Sequence, residues 1–216
     1  SEHFSIWYAL NNLKKYYLKN VYITASGGPL LNYPIKKLKK VSVKKALKHP
    51  NWNMGNKISI DSATMMNKVF ELIEAKNIFK ISLNKISIII HPKSYVHALI
   101  SFNNGLIKII AHDTDMKIPI FNTLYPNTTK WIKSEKINLS KLNNLDFQKV
   151  DLNKFPLVKV IKLIPNKTSL FETVLVSAND TFVELFLKKK IRFTDISANL
   201  IKFLKKKEFV KYKRIN

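Results

Sequence analysis

The 216-residue chain has no cysteine, which excludes disulfides and thiolate metal sites and fits a reducing compartment. It has no apolar run near the roughly 18 residues that a membrane span needs, so no span is expected. No secretory leader is expected either, because SEHFSIWYALNN carries an acid and no apolar core. Arginine is nearly missing: Arg192 and Arg214 stand alone among 38 basic residues. None of the five histidines forms the H-E-x-x-H spacing of a zinc helix. There is no internal repeat and no low-complexity segment. An initiating methionine is also absent, and the polar opening Ser1-Glu2-His3 reads as a chain whose N-terminal part is missing.

What is present is charge and core. The net charge is +24, a field that attracts phosphorylated ligands, anionic lipid or nucleic acid. Lysine, asparagine and isoleucine dominate together, which AT-rich codons alone would produce. Specific nucleic-acid readers lean on arginine forks, so nucleic acid is not expected as a partner. A hydrophobic share of 46% gives enough core for one large domain or two small ones.

The pattern along the chain is α+β, an open sheet with covering helices, followed by an all-helical part. Helical spacing of Phe4, Trp7, Leu10, Leu13 and Tyr17 predicts a helix over 3–18. VYITA (21–25) predicts a strand, and Ser26-Gly27-Gly28-Pro29 a tight turn open to a ligand's backbone approach. KKLKK (36–40) reads as solvated, and Ser42 as the start of a short helix. A helix over 62–76 is available to cover a sheet face. KISIIIH (85–91) is strand-like, and Asn103-Asn104-Gly105 joins VHALISF to LIKIIAH as a hairpin. A short helix spans 118–125. The boundaries expected are 1–125 for the α+β domain, 126–156 for a linker or crossover, and 157–216 for the helical domain. Its helices cover 157–164, 168–189 and 194–210, with Thr168 or Ser169 and Thr194 as N-caps and a frayed tail.

Residues 49–75, HPNWNMGNKISIDSATMMNKVFELIEA, hold the densest chemistry. Asn67, Lys68, Glu71 and Glu74 share one helix face, and periodicity leaves open a merely solvated face. Glu71 and Glu74 crowd negative charge, which a cation would relieve. Asp61-Ser62 sits at the expected helix start, where backbone N–H groups favour phosphate; Ser62 could equally be a plain N-cap. Ser26-Gly27-Gly28 offers a second anion pocket or a plain turn. Trp52 and Met54, in a loop bounded by Pro50 and Gly55, would either plug the core or close over a ligand.

HPNWNMG followed by IDSATMMNK, with SGGP upstream and SEH at the start, resembles 1-deoxy-D-xylulose 5-phosphate reductoisomerases. IHPKSYVH, TDMKIPI, SANDTFVELFL and IRFTDI continue the resemblance in family order over most of the chain. It implies an enzyme of isoprenoid precursor synthesis that uses NADPH and Mg2+ or Mn2+ (or Co2+). That enzyme isomerises a phosphorylated sugar and reduces the product to 2-C-methyl-D-erythritol 4-phosphate. It implies a homodimer built largely through the central sheet, cytoplasmic in a bacterium or in a plastid-type organelle of a eukaryote. The chain corresponds to the central catalytic and C-terminal domains, without the dinucleotide-binding one.

By the same resemblance, Glu2 and Glu71 are metal ligands; the family's third, an Asp just before Ser1, lies outside the chain. Ser1, Ser26, Ser62, Asn67 and Lys68 bind substrate hydroxyls and phosphate, and Glu71, Lys68 and His49 are catalytic. His49 and Trp52 belong to a lid over the substrate. Met54, Gly55 and Met116 lie toward the nicotinamide, and Glu74 supports Glu71. Ala25 and Asp180 depart from the family's usual Gly and Glu. The alternative is a degraded, non-catalytic relative whose basic surface binds anions or RNA.

Overall fold

Isoleucine and valine recur in the longer stretches that become strands, and the sheet they form is the frame of one of two compact units, Ser1–Ser26 with Phe79–Lys149. The structure is a computed structural model that describes residues 1–11, 17–49 and 54–215. Its strands are β1 (Leu18–Ala25), β2 (Ile86–Ile90), β3 (Val96–Phe102), β4 (Ile107–Ala111) and β5 (Gln148–Lys149), in the order β4-β3-β1-β2-β5. β1 and β2 are parallel, in register from Val21↔Ile86 to Ala25↔Ile90, and every other pairing is antiparallel. A parallel pair needs a long crossover, and here the helical residues 27–78 supply most of it.

Local chemistry explains most of the frame. Gly105 takes φ +86 in the β3–β4 turn, and Asn104 Oδ1 accepts the Leu106 N–H at 3.2 Å. Thr24, buried in β1, donates its hydroxyl to the Val96 carbonyl at 2.6 Å. Helix α1 (Glu2–Leu10) buries Ser5, Ile6 and Ala9 and packs against β3 and β4. α1 is shorter than the expected 3–18. Leu18 belongs to β1, where its side chain is buried in the sheet, and part of the expected span, 12–16, lies outside the described residues. Residues 126–156 are more than a connection: they contain a short helix, α6 (Leu139–Asn143), and β5, which pairs with β2 through Ile89↔Lys149.

The second unit, Gly27–Ile78 with Val150–Asn216, is helical and takes in residues that the sequence placed in the first domain. Short helix α2 (Val43–Ala46) starts as expected, with Ser42 Oγ accepting the Lys45 N–H at 3.3 Å. The single helix expected over 62–76 is two, α3 (Asn56–Thr64) and α4 (Met66–Phe79), separated by Met65 at φ +65. KKLKK lies in a 3-10 turn whose Leu38 is buried rather than solvated. A helix N-capped by Ser169, Leu170–Leu187, and a following one, Phe193–Leu204, bring Val183, Phe186, Phe193 and Ile196 into one core with Leu30, Ile60 and Ala63. The latter helix is capped at Arg192, not Thr194, because Asp195 accepts both the Arg192 N–H and its guanidinium. The described part of the tail is helical rather than frayed: 207–214 is helical and the Ile215 carbonyl accepts the Leu170 N–H at 2.8 Å.

One buried charge pins this unit. Lys76, 5% exposed, donates to Glu172 Oε1 at 2.7 Å and to the carbonyls of Pro165 at 3.1 Å and Lys167 at 3.4 Å. Glu172 also closes the capping box, accepting the Ser169 N–H at 3.2 Å and its hydroxyl at 2.6 Å. Removing one partner strands the other charge in the core. Lys76→Met is therefore expected to cost about 3 kcal/mol in urea unfolding, and Lys76→Met with Glu172→Leu to recover most of it. Equal losses in the single and double variants would refute the pairing.

Candidate functional site

The break at Met65 shapes the helical unit's polar cluster. Ser62 does not start a helix: Gly55 occupies the N-cap of α3, and Ser62 sits in its last turn, its carbonyl accepting the Met65 N–H at 3.2 Å. The helix start with anion-favouring geometry is that of α4, at Met66, Asn67 and Lys68. Lys68 is 6% exposed and donates to Glu71 Oε2 at 2.9 Å, so this face is not the solvated one that periodicity allowed. Asn67 Oδ1 is buried and has no hydrogen-bond partner among the described residues. Glu74, a turn further, is exposed.

Two further segments converge here. Gly28 takes φ +64 and is pressed so closely to α3 that a Cβ on it would lie 2.7 Å from the Ser62 carbonyl oxygen and 3.1 Å from Ser62 Oγ. Only glycine allows that contact. His49, half-buried, is shifted below the usual imidazole range, first by burial and then by the charge of Lys68, so it is neutral near pH 7. Met54 is half-buried and Gly55 exposed at the head of α3. Trp52, with 50–53, lies outside the described residues.

The other expected residues belong to the sheet unit. Ser1 Oγ donates to Glu2 Oε2 at 2.7 Å at the start of α1. Ser26 follows the last residue of β1, and Met116, 42% exposed, caps helix α5 (Lys117–Leu124). Glu2 and Glu71 thus come from different units, and among the described residues no three His, Cys, Asp or Glu side chains cluster as a metal site.

Residues 1–79 match the family model of the 1-deoxy-D-xylulose 5-phosphate reductoisomerase C-terminal domain, and residues 112–216 match that of the DXP reductoisomerase C-terminal domain. The chain belongs to the 1-deoxy-D-xylulose 5-phosphate reductoisomerase family. It is 57% identical over 99% of its length to the reductoisomerase of Pelagibacter ubique and 41% identical over 91% to that of Aquifex aeolicus. It spans about half of those relatives, 55% and 52% of their lengths. Among solved structures it resembles the reductoisomerase of Zymomonas mobilis in complex with NADPH (TM-score 0.86, 35% identity, 94% of this chain and 52% of that one). It also resembles a DOX-P reductoisomerase in complex with NADPH, fosmidomycin and magnesium (TM-score 0.84, 37% identity, 98% and 54%).

The sheet unit also holds a pair that sequence reading passed over. His97 and His112 stack with ring centroids 3.8 Å apart, and His97 Nε2 meets the His112 carbonyl at 3.2 Å. Each histidine alone carried no signal. The hairpin register did not show it either: after Val96↔Ala111 the antiparallel strands run in opposite directions, and the ladder shifts register between Val96 and Ala98, at His97. Burial foremost, then the charge of His112, pushes His97 down to about 4, against a smaller opposing pull from Glu2. His112 is lowered too, chiefly by burial.

Because the folded state holds His97 neutral, stability is complete above the unfolded value of about 6.5 and falls on acidification toward about 4. Below that it levels off. A loss of about 3 kcal/mol across this window is expected from urea titrations at pH 7 and pH 4. His97→Gln should flatten the profile; an unchanged acid loss in that variant would assign it elsewhere.

Proposed function

We propose that this chain supplies the substrate-binding and metal-binding part of an enzyme that converts 1-deoxy-D-xylulose 5-phosphate to 2-C-methyl-D-erythritol 4-phosphate with NADPH. The observation that carries the reading is the start of α4: a buried ammonium, Lys68, beside Asn67, whose buried Oδ1 lacks a partner. Together with the Gly28–Ser62 contact, these are groups that hold a phosphate and neighbouring hydroxyls. Little water reaches Lys68, so its charge acts on a bound anion with less screening than a surface lysine. Ser26, next in sequence to the Gly27–Gly28 turn, would add a hydroxyl.

Glu71 and Glu2 would hold a divalent cation, Mg2+ or Mn2+, and their carboxylate oxygens fit a hard cation. When bound, the cation supplies Lewis-acid polarisation of substrate oxygens. Lys68 holds Glu71 at 2.9 Å and so orients that ligand. His49, neutral, can accept a proton or a hydrogen bond from a substrate hydroxyl. Trp52 and Met54 would cover the substrate and exclude water, with Gly55 and Met116 toward the nicotinamide. The four glycines, 27, 28, 55 and 105, form no G-x-G-x-x-G turn. The reading therefore requires a dinucleotide-binding part that these residues do not contain, and the chain alone is expected to be inactive. A homodimer through the sheet is supported by β4, an edge strand with Ile107 63% and Ile109 48% exposed.

In the enzyme carrying this chain, Glu71→Gln should lower kcat/KM at saturating Mg2+ by at least about 100-fold with the circular dichroism unchanged. Turnover left intact would overturn the metal assignment. Lys68→Met should raise KM for the phosphorylated sugar by at least about tenfold. An unchanged KM there would remove Lys68 from the substrate site.

A further inference from the structure

The SANDTFVELFL stretch has no part in the chemistry above, yet it carries the most deeply buried amide among the described residues. Asn179, 0% exposed on helix α7 (Leu170–Leu187), donates Nδ2 to Asp61 Oδ1 at 2.8 Å. Asp61 is 2% exposed, and its other oxygen receives Lys57 Nζ at 3.0 Å. The same Lys57 ammonium bonds Asp180 Oδ1 at 2.9 Å. Consecutive residues of α7 thus grip α3 at one point, directly and through Lys57.

The grip sits in the last turn of α3. Asp61 lies between Ile60, which is fully buried, and Ser62. Packing alone would favour an apolar residue at 61, since an unpaired carboxylate there carries a heavy desolvation penalty. Burial does push Asp61 up from the usual carboxylate range, and the hydrogen bonds from Asn179 and Lys57 oppose it. α3 ends at Thr64, whose hydroxyl donates to the Asp61 carbonyl at 3.2 Å, and Met65 then turns left-handed. No continuing helix holds this last turn. The Asn179 amide keeps its donation to Asp61 although its Oδ1 is left without a partner among the described residues. What the turn presents is Ser62, already in contact with Gly28.

We propose that Asn179, acting through Asp61 and assisted by Lys57 and Asp180, is a positioning residue that sets Ser62 for the substrate phosphate. This rests on the phosphate reading of Ser62, Asn67 and Lys68. Asn179 touches no substrate, and its effect belongs to the phosphate end of the ligand, not to the metal end.

The test is steady-state kinetics of the full enzyme with inorganic phosphate as a competing probe. Asn179→Leu should raise both KM for the phosphorylated sugar and Ki for inorganic phosphate about tenfold, with kcat falling no more than about twofold. The exchange Asp61→Asn with Asn179→Asp retains a carboxylate–amide hydrogen bond and should bring both constants back to within about threefold of wild type. Lys57→Met, at a half-exposed residue, should raise both about threefold. A merely structural role would lower stability or kcat and leave Ki for phosphate unmoved, and that result overturns the proposal. So does an exchange variant that stays tenfold weak. If Asn179→Leu does not fold, the exchange variant and Lys57→Met decide the matter by the same two constants. A wild-type enzyme that neither turns over the sugar nor is inhibited by phosphate would instead refute the underlying reading.

Discussion

The left-handed turn at Met65 is the constraint on which the helical unit's chemistry depends. A non-glycine residue in that conformation costs about 1 kcal/mol or more. Met65 is only 1% exposed, and burying a methionine side chain contributes about 1.5–3 kcal/mol, enough to offset the strain. The break divides what would be one amphipathic helix into α3 and α4. It gives α4 an N-terminus of its own beside Lys68 and leaves Ser62 in a terminal turn that must be held from outside. A continuous helix would satisfy those N–H groups internally and provide no such anion-favouring end.

The unit then handles buried polar groups in a consistent way. Lys68, Lys76 and Asp61 are each nearly inaccessible, and each is met by an opposite charge: Glu71, Glu172 and Lys57. Such pairs add little to stability compared with apolar packing, because desolvation consumes most of the attraction. What they do provide is direction. Lys76 orients the capping box of α7, Asp61 receives Asn179, and Lys68 fixes Glu71. The arrangement supplies physical reasons for residues such as Gly28, whose role the motif alone leaves unstated.

Several elements were legible because their signals are local. The β3–β4 hairpin followed from Asn103-Asn104-Gly105, and residue type narrowed one helix cap to Thr168 or Ser169, of which Ser169 is the cap. The rare string IDSATMMNK pointed to the family before any fold was known. Others were not. Leu18 continues a helical spacing as well as a strand and is claimed by the sheet. Thr194 is a better intrinsic cap than Arg192, but the forked contact to Asp195 decides the helix start. Residues 126–156 read as a linker because β5 is too short to carry a strand pattern and is defined only by its partner β2.

The sequence by itself determined the α+β class, the family and the polar residue types gathered in its densest motif, since these rest on local propensity and on motif chemistry. Tertiary structure decided where the helix through Ser62 breaks, which lysines are buried, and that Asn179 meets Asp61. Those depend on contacts between residues up to 118 positions apart. At that separation a side chain's partner is chosen by packing, and packing is a property of the folded chain.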